Sequence, residues 1–292
     1  MRFGLVGTGP WATMTHGPGL AAASSADLVG VWGRSSDKSR VLAERLGTTA
    51  YEKYDELLAA VDAVAFAVPP DAQAELALAA AHAGKHLLLD KPVALDVESA
   101  RGLRDAALDA GVATLVFFTD RFVEASRAWF GQVAAQGGWR GGWLRWFSSL
   151  QDADNPFGSS PWRQERGALW DTVPHAISTL SACLGPVQSV TAVSGAGDLV
   201  SLAFRHESGA LSTATLTQFA PPGADGFEAA VWGEAGLSYM PHRPDDAYVD
   251  AYRSATDQLV AAAVNGQQHE LDIVFGTRVV ELISEAQAQL DA

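Results

Sequence analysis

Phe3-Gly4-Leu5-Val6-Gly7-Thr8-Gly9-Pro10-Trp11-Ala12 is the stretch that decides the fold. A short apolar run comes first, and Gly7 to Ala12 then fit G-x-G-x-x-A. The pattern carries weight because it joins an apolar strand to a helical stretch. Gly7 permits a tight turn, Gly9 lets the backbone approach a pyrophosphate, and Ala12 lets helix and strand pack closely. A helix N-terminus adds N–H donors and a positive dipole end. Gly7, Thr8, Gly9, Pro10, Trp11 and Ala12 are therefore expected to hold a dinucleotide.

The surrounding sequence agrees. Leu28–Trp32, Ala63–Val68, His86–Leu89 and Thr114–Phe118 are short runs, apolar on both faces and bounded by turn residues. That is the pattern of parallel strands buried under helices. Ala72–Ala83 and Val97–Ala110, rich in Ala, Leu and Glu, read as intervening helices. Residues 1–118 are thus expected to form an α/β Rossmann domain with a doubly wound parallel sheet. A carboxylate ending the second strand would bind the 2′-hydroxyl of NAD. Here that strand ends in Gly33-Arg34-Ser35-Ser36, with no acid before Asp37. Arg34 and Ser35 suit a 2′-phosphate, although Arg34 also suits stacking on adenine. The expected cofactor is NADP or NAD, with NADP favoured.

Residues 119–292 have a different texture and are expected to form an α+β domain with a mostly antiparallel, open sheet. Phe122–Gln136 reads as a helix, Gly142–Ser149 as a strand, and Gln151–Arg166 as a Gly/Ser/Pro/Asp-rich loop. A helix over about Asp171–Leu184 stops at Gly185-Pro186. Val187–Val193, Asp198–Arg205, Ala210–Phe219, Phe227–Trp232 and Leu237–Met240 come next as consecutive strands. Two helices, Ala247–Asn265 and Asp272–Leu290, finish the chain, with room to pack back on the first domain.

Composition sets limits. The 292 residues suggest two domains. Hydrophobic residues at 48% and charged residues at 18% describe a globular chain. A net charge of −14 repels nucleic acid and anionic membranes, so neither is an expected partner. Met1 leads directly into the first strand, and no apolar run reaches the length of a membrane span, so a cytoplasmic location is expected. Cys183, the single cysteine, is expected to be a buried core thiol. No metal is expected. Six of the nine tryptophans, Trp129, Trp139, Trp143, Trp146, Trp162 and Trp170, crowd one interval. Trp143 and Trp146 are an odd number apart, which puts them on opposite faces of a strand. Trp162 beside Arg163 suits a polyhydroxylated or anionic substrate, or plain packing.

From Asp62 to Pro92 the chain reads D-A-V-A-F-A-V-P-P-D-A-Q-A-E-L-A-L-A-A-A-H-A-G-K-H-L-L-L-D-K-P. This stretch resembles the family of glucose–fructose oxidoreductases and inositol dehydrogenases (Gfo/Idh/MocA), most specifically at Gly84-Lys85-His86 and Asp90-Lys91-Pro92. Asp171-Thr172-Val173-Pro174-His175 resembles the family's Asp-x-x-x-His. The resemblance implies that Lys91, Asp171 and His175 are catalytic, and that Val68, Pro69, Asp90 and Lys91 lie at the dinucleotide. Arg121, Trp162 and Arg163 are expected to join Lys91, Asp171 and His175 in binding substrate. Lys91 would end a parallel strand, where α/β sheets bind ligands. Asp171 and His175, four apart, would share a helix face, with Pro174 tolerated in the first turn. Departures from the family pattern mark a divergent subgroup: Asp90 for its Glu, Gln73 for its His, Glu165-Arg166-Gly167 for its glycine-rich entry, Val173 for its Gly and Ser178 for its Asp.

The activity so implied is hydride transfer between nicotinamide and a secondary alcohol or ketone of a sugar, polyol or sugar derivative. A homodimer or homotetramer built through the second sheet is implied as well. The alternatives are an NAD-dependent glycoside-cleaving enzyme of the same family and a non-catalytic dinucleotide or metabolite sensor. Retention of Lys91 and His175 favours an enzyme.

Overall fold

The computed structural model describes every residue except 150–154, 159, 222 and 245. Two compact units emerge: Met1–Val123 with Asp245–Val280, and Glu124–Pro244 with Glu281–Ala292. The sequence suggested a division after residue 118, with both C-terminal helices assigned to the second part but free to pack back on the first.

The first unit opens with β1 (Arg2–Val6). Pro10 and Trp11 then begin a helical run that is π-helical over Ala12–His16 and continues as α1 (Gly17–Ala22). Next come β2 (Asp27–Trp32), α2 (Ser36–Leu46), β3 (Thr49–Ala50), α3 (Tyr54–Ala60), β4 (Ala63–Phe66), α4 (Pro70–His82), β5 (His86–Asp90), α5 (Val97–Asp109) and β6 (Thr114–Phe117). The strands pair in parallel in the order β3-β2-β1-β4-β5-β6. All residues of β4 and β6 are buried, as strands covered by helices on both faces must be. Two helices and a short strand, α2, α3 and β3, were not picked out in the sequence. Local chemistry explains α2 well: the Ser35 hydroxyl accepts from the Lys38 N–H at its start, and Gly47 in the left-handed region ends it.

The second unit holds α6 (Glu124–Gln136), β7 (Trp139–Phe147), α7 (Pro161–Asp171), α8 (Val173–Leu184), β8 (Val187–Ser194), β9 (Val200–His206), β10 (Leu211–Thr217), β11 (Gly226–Gly233) and β12 (Gly236–Tyr239). Its sheet runs β12-β11-β7-β10-β9-β8. Every neighbouring pair is antiparallel except β7–β10, which is parallel, so the sheet is mixed. Two helices and two strands lie between β7 and β10 in the chain. That long crossover is what a parallel pair needs. Burial alternates along β9 and β10, with Leu202, Phe204, Ala214 and Leu216 on the core face.

The last two helices are α9 (Ala247–Asn265), which belongs to the first unit, and α10 (Ile273–Leu290), whose residues are shared between the two. Among the described residues no helix is long and apolar enough to cross a membrane.

Three sequence expectations need correcting. The loop expected over Gln151–Arg166 is helical from Pro161, because Pro161 occupies the first turn of α7; residues 150–154 and 159 lie outside the described residues. The helix expected from Asp171 starts at Val173, with Asp171 ending α7 and Thr172 between the two helices. Cys183, expected in the core, is only half-buried near the end of α8.

Candidate active site

The strand order reverses between β1 and β4, and the turn after β1 lies at that switch point. Gly7 has φ +124°, and a side chain there would collide with the Ala67 carbonyl, so the fold itself demands glycine. Gly9 is different. Its φ is not positive, and a Cβ built on it meets nothing within 4 Å among the described residues. Packing therefore does not account for this glycine, whereas a backbone that a pyrophosphate must approach does. Pro10 starts the helical run immediately afterwards, and the Gly9 carbonyl accepts from the Thr13 N–H at 3.0 Å. Ala12 is fully buried. These residues fit a dinucleotide.

Arg34 is exposed just beyond β2. A hollow of about 280 Å³ along α2 is lined by Thr8, Thr13, Asp37, Lys38, Val41, Leu42 and Arg45. The Asp37 carboxylate is engaged by Arg40. Ser35, expected at the cofactor, spends its hydroxyl on the cap of α2. Val68 and Pro69 come after β4, on the same carboxyl edge of the sheet.

Lys91 comes directly after β5, joined to Pro92 by a cis peptide bond. Two side chains hold this turn. The Asp90 carboxylate accepts from the Lys91 N–H at 2.7 Å. Gln73, fully buried on α4, accepts from the Asp90 N–H at 2.8 Å and donates to the Asp90 carbonyl at 2.8 Å, with the Pro92 and Val93 carbonyls at 3.3 and 3.4 Å. Gln73, noted in the sequence only as a departure from the family's histidine, is thus the clamp of the strand end. An amide can do this because it donates and accepts at once. Arg121 lies in a 3₁₀ turn after β6, mostly buried, with its guanidinium on Glu270 at 2.8 Å.

In the second unit Asp171 and His175 are both buried. Arg163 Nε donates to Asp171 Oδ2 at 3.0 Å, and the Gln218 side-chain amide donates to the same oxygen. Arg163 is itself fixed by stacking on Trp162 (4.6 Å) and Phe157 (5.1 Å) and by Ser160. Arg163, expected from the sequence to bind substrate, thus lies in an ion pair with Asp171. Gln218, at the end of β10, was missed; nothing in its local sequence distinguishes it. Asp171 does not cap α8, whose cap residue is Thr172. His175 sits in the first turn of α8 beside Pro174, with the Trp146 ring 5.4 Å away. Trp143, three residues earlier on β7, instead donates from its indole N–H to Glu228 at 3.0 Å.

Taken together, a parallel Rossmann sheet, an open glycine turn at its switch point and a clamped lysine at the end of β5 define a dinucleotide-binding class of protein. Two family models agree: the oxidoreductase family NAD-binding Rossmann fold matches residues 1–118, and the GFO/IDH/MocA C-terminal domain matches residues 140–238. The chain belongs to the Gfo/Idh/MocA oxidoreductase family. It is similar to an uncharacterized oxidoreductase of Rhizobium meliloti, at 38% identity over 36% of this chain and 32% of that one. It is also similar to glucose-6-phosphate 3-dehydrogenase of Bacillus subtilis, at 30% identity over 42% of this chain and 35% of that one. The matched stretch thus spans about a third of these curated relatives. Among solved structures, levoglucosan dehydrogenase in complex with NADH and levoglucosan shares the fold at a TM-score of 0.87, with 17% identity, over 100% of this chain and 97% of that one.

Proposed function

We propose that this chain is an NAD(P)-dependent dehydrogenase or reductase that moves hydride between nicotinamide and a secondary alcohol or ketone on a sugar, polyol or sugar derivative. The observation that carries the reading is that the open Gly9 turn and the clamped Lys91 lie on the same carboxyl edge of one parallel sheet, where such sheets bind ligands. Similarity to glucose-6-phosphate 3-dehydrogenase and to levoglucosan dehydrogenase supports a sugar as substrate class.

Nicotinamide dinucleotide supplies the two-electron acceptor or donor. The remaining work falls to side chains. Lys91 donates a hydrogen bond to the reacting oxygen and stabilises the negative charge it develops. His175 takes the hydroxyl proton during oxidation and returns it during reduction. Asp171, already engaged by Arg163 and Gln218, acts through the order it imposes on the start of α8. Turnover of a panel of sugars and polyols with NADP⁺ and NAD⁺, followed at the nicotinamide absorbance, tests this. Tight dinucleotide binding with no turnover of any member would instead favour a sensor.

Within the same reading, NADP(H) is preferred over NAD(H). Arg34 directly after β2 and Lys38 in the first turn of α2 put two cations by the end of β2, and no free carboxylate among the described residues takes the place that would suit a 2′-hydroxyl. Calorimetric titration should show tighter NADP⁺ binding, and Arg34→Asp should move the preference towards NAD⁺. Equal affinities in the unaltered protein would overturn the preference.

A further inference from the structure

Under the Asp90-Lys91-Pro92 turn lies a buried polar cluster that the roles above leave unused. His16 ends the π-helical turn and is 1% exposed. Its ring lies flat on Tyr252 of α9, with centroids 4.0 Å apart and planes 18° from parallel. Phe117, which ends β6, sets its ring edge-on to both, at 5.9 and 4.8 Å. Both His16 ring nitrogens and the Tyr252 hydroxyl are buried and, among the described residues, meet no partner in full hydrogen-bond geometry, although the Phe66 backbone lies close enough to His16 to oppose the effect of burial. Buried polar atoms are paired in nearly all folded proteins, so three in one box need a reason.

Asp90 supplies it. Its Oδ2 is 3.7 Å from His16 Nε2, while its Oδ1 accepts the Lys91 N–H. Burial, and after it the Asp90 charge, raises the Tyr252 hydroxyl well above its usual range, and burial holds His16 neutral down to about 3. Both groups therefore keep a proton to donate at neutral pH. A neutral imidazole has one N–H, which either ring nitrogen can carry, and Nε2 is the nitrogen that faces the Asp90 carboxylate. The π turn matters too. It holds one residue more than an α-turn, so the helix beyond it is rotated by about 100° relative to an uninterrupted one. π turns of this kind concentrate at functional sites.

We propose that His16, Tyr252 and the Asp90 carboxylate form one positioning set for Lys91. His16 Nε2–H and the Tyr252 hydroxyl orient the carboxylate, and the carboxylate fixes the Lys91 amide from which that side chain departs. Gln73 holds the same turn through the Asp90 backbone. The proposal rests on the reading of Lys91 as catalytic. A pure packing role would be met by any apolar ring or chain filling the same space.

Hydrogen exchange of the Lys91 amide in the ligand-free protein is the deciding measurement. Tyr252→Phe removes one oxygen and leaves the stacking intact, His16→Leu removes the ring donors, and His16→Gln restores a donor. The first two should speed exchange at Lys91 by about tenfold while the amides of β1 stay unchanged, the signature of a local opening. His16→Gln should recover most of the protection. In turnover of D-glucose 6-phosphate or levoglucosan with NADP⁺, kcat should fall by a similar factor with KM unchanged, as expected when a transition-state contact alone is weakened. Unchanged Lys91 exchange in Tyr252→Phe and His16→Leu, with the melting temperature preserved, would overturn the positioning set. Undiminished turnover by Lys91→Ala would instead overturn the reading on which it rests, so the two failures are distinguishable.

Discussion

Burial holds His16 neutral in the folded chain down to about pH 3, whereas the unfolded chain protonates it near the usual 6.5. The folded value is depressed, so the unfolded state binds more protons between those limits. The stability linked to His16 is fully present above pH 6.5 and is lost as the pH falls towards 3. Between pH 7 and pH 5 this amounts to about 2 kcal/mol. His86, His206 and His269 are lowered by burial as well and act with the same sign. Urea denaturation at the two pH values should show the loss, and His16→Gln should remove most of it; an undiminished loss in that variant would refute the assignment. The site residues make a second prediction. Lys91→Ala is expected to cost about 10²–10³-fold in turnover, and His175→Ala about 10²–10⁴-fold. Asp171→Asn should cost about tenfold, the scale of one weakened hydrogen bond to a charged group. Steady-state rates with a turned-over sugar check all three, and dinucleotide titration should show that binding survives. Near-full activity in His175→Ala would make Lys91 or Asp171 the proton carrier instead. Gly7, Gly9 and Lys91 were legible in the sequence because their reasons are local: a turn, an approach, a strand end. His16, Gln73 and Gln218 were not, because each takes its meaning from a partner distant in the chain.

At the scale of elements, the joint inside α7 is the most demanding local structure. Gly167 has φ +60° and ψ −161°, which interrupts the helix, and a Cβ there would come within 2.9 Å of the Asp198 Cβ. Asp198 holds the joint by accepting from the Ala168 N–H at 3.0 Å and from the Gln218 N–H at 2.9 Å. The same carboxylate therefore ties the end of α7 to the end of β10, the two places that supply Asp171 and its partner Gln218. Gly167→Ala should destabilise by about 1–3 kcal/mol, the usual cost of a forced left-handed residue. Gly131→Ala is the control: it lies exposed inside α6 with nothing within 4 Å, and should stabilise by about 0.5–1 kcal/mol. Thermal melting should separate the two in opposite directions, and a neutral Gly167→Ala would show that the joint is not strained. The parallel strands of the first unit were legible because burial on both faces leaves a continuous apolar run. α7 was not, because its Pro, Gly and charged residues are those of loops and only tertiary partners hold it helical. The parallel pairing of β7 with β10 was hidden for a related reason: strand direction is set by the crossover, not by the strand's own residues.

For the whole molecule, family, fold class and the two-part order of elements were legible, since the motifs and the change of texture are both local in sequence. Packing of the C-terminal helices back on the first part was allowed for, but which residues of α9 make that contact was not legible. That packing depends on contacts such as those of Tyr252 with Gly19 and His16, made across most of the chain. Assembly can be argued from the register of the second sheet. Trp232 pairs with Leu237 and with Gly141, which pairs with Leu211; Ala230 pairs with Tyr239, and Val193 with Ser201. Cross-strand partners share a face, and so do residues two apart along a strand. Trp232, Leu237, Tyr239, Leu211 and Val193 therefore lie on one face, opposite to Leu144, Leu202 and Phe204, and all five are 47–62% exposed. Scattered apolar residues on a surface need no explanation, but several on one open sheet face mark an interaction surface. The family resemblance names a second copy of the chain as the partner. A homodimer or homotetramer is thus expected at micromolar concentration, and Trp232→Glu combined with Leu211→Glu should shift it to monomer, because two like charges would have to be buried on one face. Dinucleotide affinity should be unaltered, since neither residue belongs to the first unit. Light scattering on both proteins decides it: a monomer in the unaltered chain, or an unchanged mass in the double variant, would rule out assembly through this face.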